Sequence, residues 1–145
     1  LGSLFATGCR WGELPAADIN SKRAVIQAQI DRHGKRRRPK NKKGRVAPVL
    51  PPLRTYIEKF LALTPERRTE LRLRHYDRIY GACVRVLNLT PHDLRHSYAV
   101  EWGAKGASTA EIARFIGDTP EVTERHYRNY CATDDETERA LSLWK

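Results

Sequence analysis

The residues best suited to chemistry lie in one stretch of the sequence, where His92 and Arg95 are three residues apart. The stretch predicts the start of a helix, because Thr90 suits the N-cap, Pro91 the first helical position and Asp93 the acid of a capping box. His92 and Arg95 then share one face of the first turn, whose free N–H groups and positive dipole end attract anions. An imidazole and a guanidinium placed there predict an oxyanion site, most naturally for phosphate. The alternative is an ordinary helix cap followed by a surface arginine.

A second candidate, Arg10, lies at a corner between two short helices near the start of the chain. Gly8 has the place of a C-terminal cap after an apolar segment, and residues 12–14 begin or continue the next helix. A side chain at such a corner can be aimed at a ligand. The alternative is a surface arginine that flanks a buried Trp11 and Leu14.

Basic residues concentrate between residues 31 and 45, where nine of them accompany a single acid, Asp31. A β-turn region of that charge density predicts contacts with phosphate groups along a nucleic-acid groove. The alternative is a basic loop that is disordered, wholly or in part, until DNA is bound. The nine residues are Arg32, Lys35, Arg36, Arg37, Arg38, Lys40, Lys42, Lys43 and Arg45.

The elements that must position these residues are mostly helical. Two β-type segments flank the basic turn, and apolar residues at helical spacing follow them. The sequence therefore predicts a mainly α fold with a small antiparallel β-sheet (α+β), as a single domain over residues 1–145. The predicted elements are strands over 24–30 and 45–50 and helices over 53–63, from 64 with an interruption, over 91–104, over 108–117, from 120, and within the tail 133–145.

Charge and composition narrow the class of function. The 145 residues carry a formal net charge of +10, which predicts a polyanionic partner, with nucleic acid ahead of a membrane surface. No segment has the pattern of a membrane span or a signal peptide, so no membrane partner is expected. The three cysteines, Cys9, Cys83 and Cys131, lack zinc spacing and predict free thiols without a structural metal. Because methionine is absent, we expect the domain to be truncated at its N-terminus, with an upstream part missing.

Three motifs together resemble the catalytic domain of the tyrosine recombinases, the phage-integrase family. Residues 7–14, TGCRWGEL, resemble the family's first-arginine motif, TG-x-R-x-x-EL. Residues 91–97, PHDLRHS, resemble its H-x-L-R-H-[ST] motif. Ile116-Gly117, with Tyr127 ten residues after the glycine, resembles the family's LGH…Y spacing. The order and spacing of the three motifs are far more specific than any one of them.

The resemblance implies an enzyme that cleaves and rejoins DNA strands by phosphoryl transfer, without a metal or nucleotide cofactor. Tyr127 would attack a backbone phosphate and form a 3′-phosphotyrosyl link, with Tyr130 as the alternative nucleophile. Arg10 and Arg95 would stabilise the charge of the transition state. His92 would act as an acid/base group or as a hydrogen-bond donor.

Two further positions follow from the resemblance. The family's catalytic lysine would be Lys40, eight residues before Pro48, with Lys42 and Lys43 as alternatives if the loop length differs. The residue after the glycine, usually histidine or tryptophan, is Asp118 here. A carboxylate repels a scissile phosphate unless an arginine binds it or it turns away, so Asp118 puts activity in question.

The resemblance also implies partners. Double-stranded DNA is the expected substrate, and a tetramer on DNA is expected for the full-length protein, with a monomer as the alternative for the fragment. The expected location is the cytoplasm of a bacterium, near the nucleoid, with a bacterial or phage-encoded origin. Two other functions stay open: a catalytically impaired DNA-binding relative of the same fold, and a basic RNA- or DNA-binding module without an active site. A type IB topoisomerase, which shares this chemistry, is less favoured, because the chain is short and the spacing of its motifs is integrase-like.

Overall fold

The computed structural model describes residues 1–39 and 43–127, and it confirms the predicted mainly α fold with a small antiparallel β component. The predicted tail helix within 133–145 lies outside the described residues. Short 3₁₀ turns at Leu14–Ala16 and Pro51–Leu53 and a π-helix at Cys83–Leu87 connect the main elements. The α-helices are α1 (Gly2–Thr7), α2 (Arg54–Leu61), α3 (Pro65–Arg74), α4 (Tyr76–Ala82), α5 (Pro91–Ala104), α6 (Thr109–Ile116) and α7 (Pro120–Tyr127). The strands are β1 (Asp18–Ile19), β2 (Arg23–Ile26), β3 (Gln29–Ile30), β4 (Arg36–Arg37) and β5 (Arg45–Pro48).

The strands form two antiparallel sheets. In the larger sheet β2 lies between β1 and β5, and Ala24 pairs with Ala47. The smaller sheet is the β3–β4 hairpin. The predicted single strand over 24–30 was wrong, because the chain changes partner within it: Ile26 pairs with Arg45, whereas Gln29 pairs with Arg37. Periodicity alone does not reveal such a change of pairing partner.

The core lies between the larger sheet, α1, α5 and α6. Leu4 of α1, Ile26 of β2 and Ile116 of α6 are almost fully buried, and each such side chain contributes roughly 1.5–3 kcal/mol. Tyr98 of α5 is also buried, and its hydroxyl donates to the Pro48 carbonyl at 2.8 Å. This bond joins α5 to β5 and satisfies the one polar atom of a core aromatic ring.

Side-chain caps fix where the helices near the site begin. At α5 the Thr90 N–H donates to Asp93 Oδ2 at 2.6 Å, and the Asp93 N–H donates to Thr90 Oγ1 at 3.3 Å. Ser108 and Glu111 make the same reciprocal pair at the start of α6. Both capping boxes were predicted and are confirmed. Gly117 ends α6 with a φ of 68°, a left-handed conformation that glycine adopts without steric cost.

The interruption predicted after residue 64 is also confirmed. Thr64 caps α3, the helix breaks at His75, and α4 continues into the π-helix. Over residues 1–39 and 43–127, no helix combines the length and the apolar character that a membrane crossing requires.

Candidate active site

Arg95 is the most buried arginine of the site, with its side chain 2% exposed. Its Nη1 donates to the Gly8 carbonyl at 2.8 Å, and its Nη2 donates to the Ile116 carbonyl. These carbonyls lie at the C-terminal ends of α1 and α6, where the helix dipole favours a cation. Burial lowers the pKa of Arg95, as do the charges of Arg10 and Arg45, although a guanidinium keeps its proton at neutral pH. Two helix ends thus stabilise a guanidinium that would otherwise be costly to bury.

Arg10 is held by a buried carboxylate three residues further on. Its backbone N–H donates to Glu13 Oε2 at 2.8 Å, and its Nη1 donates to Glu13 Oε1 at 3.1 Å. Glu13 also binds Arg45, at 2.6 Å from Nη2 and 3.0 Å from Nη1. Burial alone would raise the pKa of Glu13, but the hydrogen bonds and charges of Arg45 and Arg10 outweigh it and lower the pKa to about 2. Glu13 is therefore an anion that fixes both arginines.

Glu13 was not among the predicted site residues, although it stands inside the first-arginine motif. The signal was its spacing of three from Arg10, which permits an ion pair within one turn. Nothing in the sequence indicated that Arg45, far along the chain, would complete the group.

Asp118 brings the two candidate arginines together. Its Oδ1 accepts from Arg10 Nη2 at 3.1 Å, and its Oδ2 accepts from Arg95 Nη2 at 3.0 Å. The structure thus meets the condition stated for this carboxylate, since two arginines bind it. We call Arg10 and Arg95 the arginine pair. With Arg45, Glu13 and Asp118 it forms an ionic cluster of three positive and two negative groups.

His92 lies beside the arginine pair, as its place on the first turn of α5 predicts. Together with Arg10 and Arg95 it lines a cleft of about 290 Å³, the smaller cleft. Burial lowers the pKa of His92, and the nearby His96 and both arginines lower it further, so the imidazole is neutral at pH 7. A neutral imidazole can donate one hydrogen bond and accept another. The remaining residues that line this cleft are Cys9, Trp11, Tyr76, Tyr80, Thr90 and Pro91.

A row of imidazoles leads from this cleft to the end of α7. The rings of His92 and His96 are 4.6 Å apart between centroids, and those of His96 and His126 are 6.2 Å apart. Tyr127 is the last residue of α7 and follows His126 directly. The predicted nucleophile therefore directly follows the last imidazole of this row, while Tyr130 lies outside the described residues.

The predicted catalytic lysine, Lys40, and its alternative Lys42 lie outside the described residues. Pro39 and Lys43, on either side of them, line a second cleft of about 910 Å³, the larger cleft. Arg10 and Asp118 line that cleft too. The two described residues that flank the expected lysine segment therefore line the same cleft as Arg10 and Asp118.

Among the predicted basic residues that the structure describes, all but Arg45 are exposed. Arg37 pairs with Asp31 at 2.6 Å, and β4 presents both of its arginines to solvent. Arg45 was expected among the exposed phosphate-contacting residues, but its side chain is 6% exposed and bound to Glu13. Its Nε also donates to the Phe115 carbonyl at 2.9 Å, so Arg45 is a structural member of the ionic cluster. The predicted residues that the structure describes as exposed are Arg32, Lys35, Arg36, Arg37, Arg38 and Lys43.

Neither the cysteines nor other residues that could bind a metal form a second site in the part of the chain described. Cys9 and Cys83 are free and buried, and burial raises the pKa of the Cys9 thiol to about 11. No group of three or more His, Cys, Asp or Glu side chains in the described ranges is arranged to bind a metal ion.

The fold is that of an integrase. Solved structures of the Tn1549 transposon integrase share it: the complex with transposon right end DNA has a TM-score of 0.67 at 17% identity. A complex with circular intermediate DNA has a TM-score of 0.65 at 18% identity. The aligned part covers 98% of this chain in both cases, but only 56% and 57% of the integrase chains, so this chain spans little more than half of their length. No protein-family model matches the sequence, and no curated protein matches it either.

Proposed function

We propose that this domain binds double-stranded DNA and acts as a tyrosine recombinase, which cleaves and rejoins DNA strands in site-specific recombination or integration. One observation carries the proposal. The guanidinium groups of Arg10 and Arg95, which come from distant segments, bind the two oxygens of one anion, the Asp118 carboxylate. A phosphate presents the same kind of target, and two guanidinium groups suit it by charge and by hydrogen-bond geometry. The shared fold supports the proposal, since the Tn1549 integrase structures are complexes with DNA.

In the proposed reaction the Tyr127 oxygen attacks a backbone phosphorus. A phosphotyrosyl bond to the 3′ side forms as the P–O5′ bond breaks, and the 5′ oxygen leaves as a hydroxyl after taking a proton from a general acid, for which Lys40 is the candidate. Attack by a 5′-hydroxyl in the reverse direction rejoins a strand and frees Tyr127. Charge on the non-bridging oxygens grows in the transition state, and the arginine pair supplies fixed positive charge there.

His92 would make a hydrogen bond to the reacting phosphate. Its lowered pKa leaves the ring neutral at pH 7, so it can accept the proton of the tyrosine or donate to an oxygen. The row of rings from His92 through His96 to His126 would offer a path for that proton between the end of α7 and the phosphate.

The exposed basic turn would bind the DNA backbone around the reacting phosphate. Its arginines and lysines supply positive charge without reading base sequence. Assembly as a tetramer on two duplexes is part of the proposal for the full-length protein.

A trapping assay tests the reaction. Duplex DNA of mixed sequence, with a sulfur in place of the bridging 5′ oxygen, would accumulate covalent protein–DNA adducts, because the freed thiol does not re-attack. We expect adducts with the unaltered protein and with Tyr130→Phe, and none with Tyr127→Phe, while all three bind DNA. Adducts that persist in Tyr127→Phe would assign the role to Tyr130 or end the proposal.

The second candidate is a DNA-binding relative that does not cleave. The ion pairs of Asp118 favour it, because an internal carboxylate occupies the arginine pair. DNA binding of normal strength, with no adduct under any condition and no gain when Asp118 is replaced, would select this candidate.

A further inference from the structure

We infer that Asp118 is an internal competitor for the phosphate, and that DNA must displace its carboxylate from the arginine pair before it binds there. The inference rests on the proposed function of that pair as a phosphate site. It assigns Asp118 a role in setting affinity, which differs from that of a group acting on the reacting atoms.

The first argument is the mode of binding. The two oxygens of Asp118 lie 3.1 Å from Arg10 and 3.0 Å from Arg95, one oxygen on each guanidinium. The two non-bridging oxygens of a phosphodiester can bind two guanidinium groups in the same way. A carboxylate and a phosphate cannot both take these donors, and their like charges repel at such a distance.

The second argument is that the arginine pair does not depend on Asp118 for its position. Arg95 keeps its bonds to the carbonyls of Gly8 and Ile116 when Asp118 leaves. Arg10 keeps two bonds to Glu13, which Arg45 fixes in turn. Both guanidinium groups therefore stay in place and become available to an external anion.

The third argument is that Asp118 has room to move. Its side chain is 25% exposed, whereas the Arg95 side chain is 2% exposed. It lies in the short connection between α6 and α7, next to Gly117, and it borders the larger cleft of about 910 Å³. Rotation of its side chain can move the carboxylate to solvent without shifting either helix.

A competitor role and a structural role for Asp118 predict opposite changes in anion affinity for the same substitution. If Asp118 competes with phosphate, Asp118→Asn removes the competing charge and strengthens anion binding. If Asp118 instead positions the arginines, the same change loosens them and weakens binding. The amide of asparagine is nearly isosteric with the carboxylate, so the comparison isolates charge.

The experiment measures binding of inorganic phosphate and of a short mixed-sequence duplex. We expect Asp118→Asn to tighten both by about tenfold or more, since a like charge within contact distance is removed. The affinity of Asp118→Asn for the duplex should also depend more steeply on salt concentration, because one more cationic site neutralises phosphate. Glu101→Gln, which removes one negative charge from an exposed position on α5, is the matched control and should leave phosphate binding unchanged.

Unchanged or weaker phosphate binding in Asp118→Asn would overturn the inference. Asp118→Ala is a second test, because removal of a competitor tightens binding in both variants. The thermal midpoint of each variant shows whether it is folded. Failure of the proposed function looks different. Tighter phosphate binding without any DNA adduct in the unaltered protein or in either variant would refute strand cleavage and leave the competitor role intact.

Discussion

The guanidinium groups of Arg10 and Arg95 donate to different oxygens of the same carboxylate, although the two residues come from opposite parts of the chain. Arg10 follows α1, and Arg95 lies on the first turn of α5. Their meeting requires that α1 pack against α5 and that the end of α6 reach both. The site is therefore a product of tertiary structure, and changes to its supports should alter it in measurable ways.

Replacing Glu13 with glutamine should strongly destabilise the protein. Arg45 would remain buried without a counter-charge, and we expect a loss of about 3 kcal/mol in the free energy of unfolding. Because the folded pKa of Glu13 is about 2 against 4.5 for an ordinary carboxyl group, its contribution is complete above pH 4.5 and is lost as the pH falls towards 2. Urea unfolding over that pH range measures both effects. Glu70→Gln, at an exposed ion pair, should change little.

The capping boxes of α5 and α6 have the same hydrogen-bond pattern, so the effect of the α5 cap on phosphate binding can be separated from its effect on stability. Thr90→Ala and Ser108→Ala each remove one capping box and should each cost about 1 kcal/mol. Only Thr90→Ala should weaken phosphate binding, because α5 positions His92 and Arg95 whereas the start of α6 positions neither. Equal phosphate binding in the two variants would contradict this account.

Gly8 has both a backbone and a packing reason to be glycine. Its φ is 60°, and a Cβ there would come within 2.4 Å of the Tyr98 ring. We expect Gly8→Ala to cost about 3 kcal/mol, from left-handed strain and overpacking together, and to displace the carbonyl that binds Arg95. Gly106→Ala is the matched control: its φ is 86°, but nothing lies within 4 Å of an added Cβ, so only about 1 kcal/mol of strain should remain. Thermal unfolding of both variants makes the comparison.

The neutral state of His92 predicts a loss of stability in mild acid. Its pKa is lowered in the folded protein by burial, then by His96, Arg95 and Arg10, so the unfolded chain takes up its proton first as the pH falls below 6.5. The contribution is complete above pH 6.5 and is lost as the pH falls through the lowered folded pKa. Unfolding free energies between pH 7 and pH 5 should therefore decline less steeply in His92→Gln. Urea unfolding at each pH measures the slope in the two proteins.

The exposed turn should contribute affinity for DNA without sequence preference. Arg36→Gln should weaken binding by a similar factor on every duplex tested and reduce the slope of log K against log salt by about 1. The measurement is a salt titration on two unrelated duplexes. Lys105→Gln, the same charge change at the end of α5, should leave the slope unchanged. An effect of Arg36→Gln on one duplex alone would show base contact instead.

Local chemistry predicted much of this fold. Both capping boxes, the stop at Gly8 and the bounds of α5 follow from side chains within a few residues of each other, and such signals are contained in the sequence. The proximity of His92 and Arg95 follows from their spacing of three, but the grouping of Arg10 with them was expected only through the resemblance to a known family. The structure brings these three residues together at one cleft.

Long-range pairing was not predictable in the same way. Arg45 looked like one more basic residue of the turn, yet it is buried because Glu13 lies opposite it. The strand over 24–30 divides because two different partners pair with its halves. Asp118 was noticed as unusual, but its two arginine partners depend on how three segments meet, which no local pattern specifies.

The carbonyls that bind Arg95 have a consequence for when the protein can act. They belong to Gly8 at the end of α1 and Ile116 at the end of α6, so a chain that has not docked both helices lacks the assembled guanidinium pair. If the domain cleaves DNA as proposed, a nascent, partly unfolded or proteolytically nicked molecule would keep its basic turn but would lack the arginine pair at which the strand is broken. Under that proposal, genome integrity would be protected by folding itself, because the arginine pair is assembled only in the complete tertiary structure.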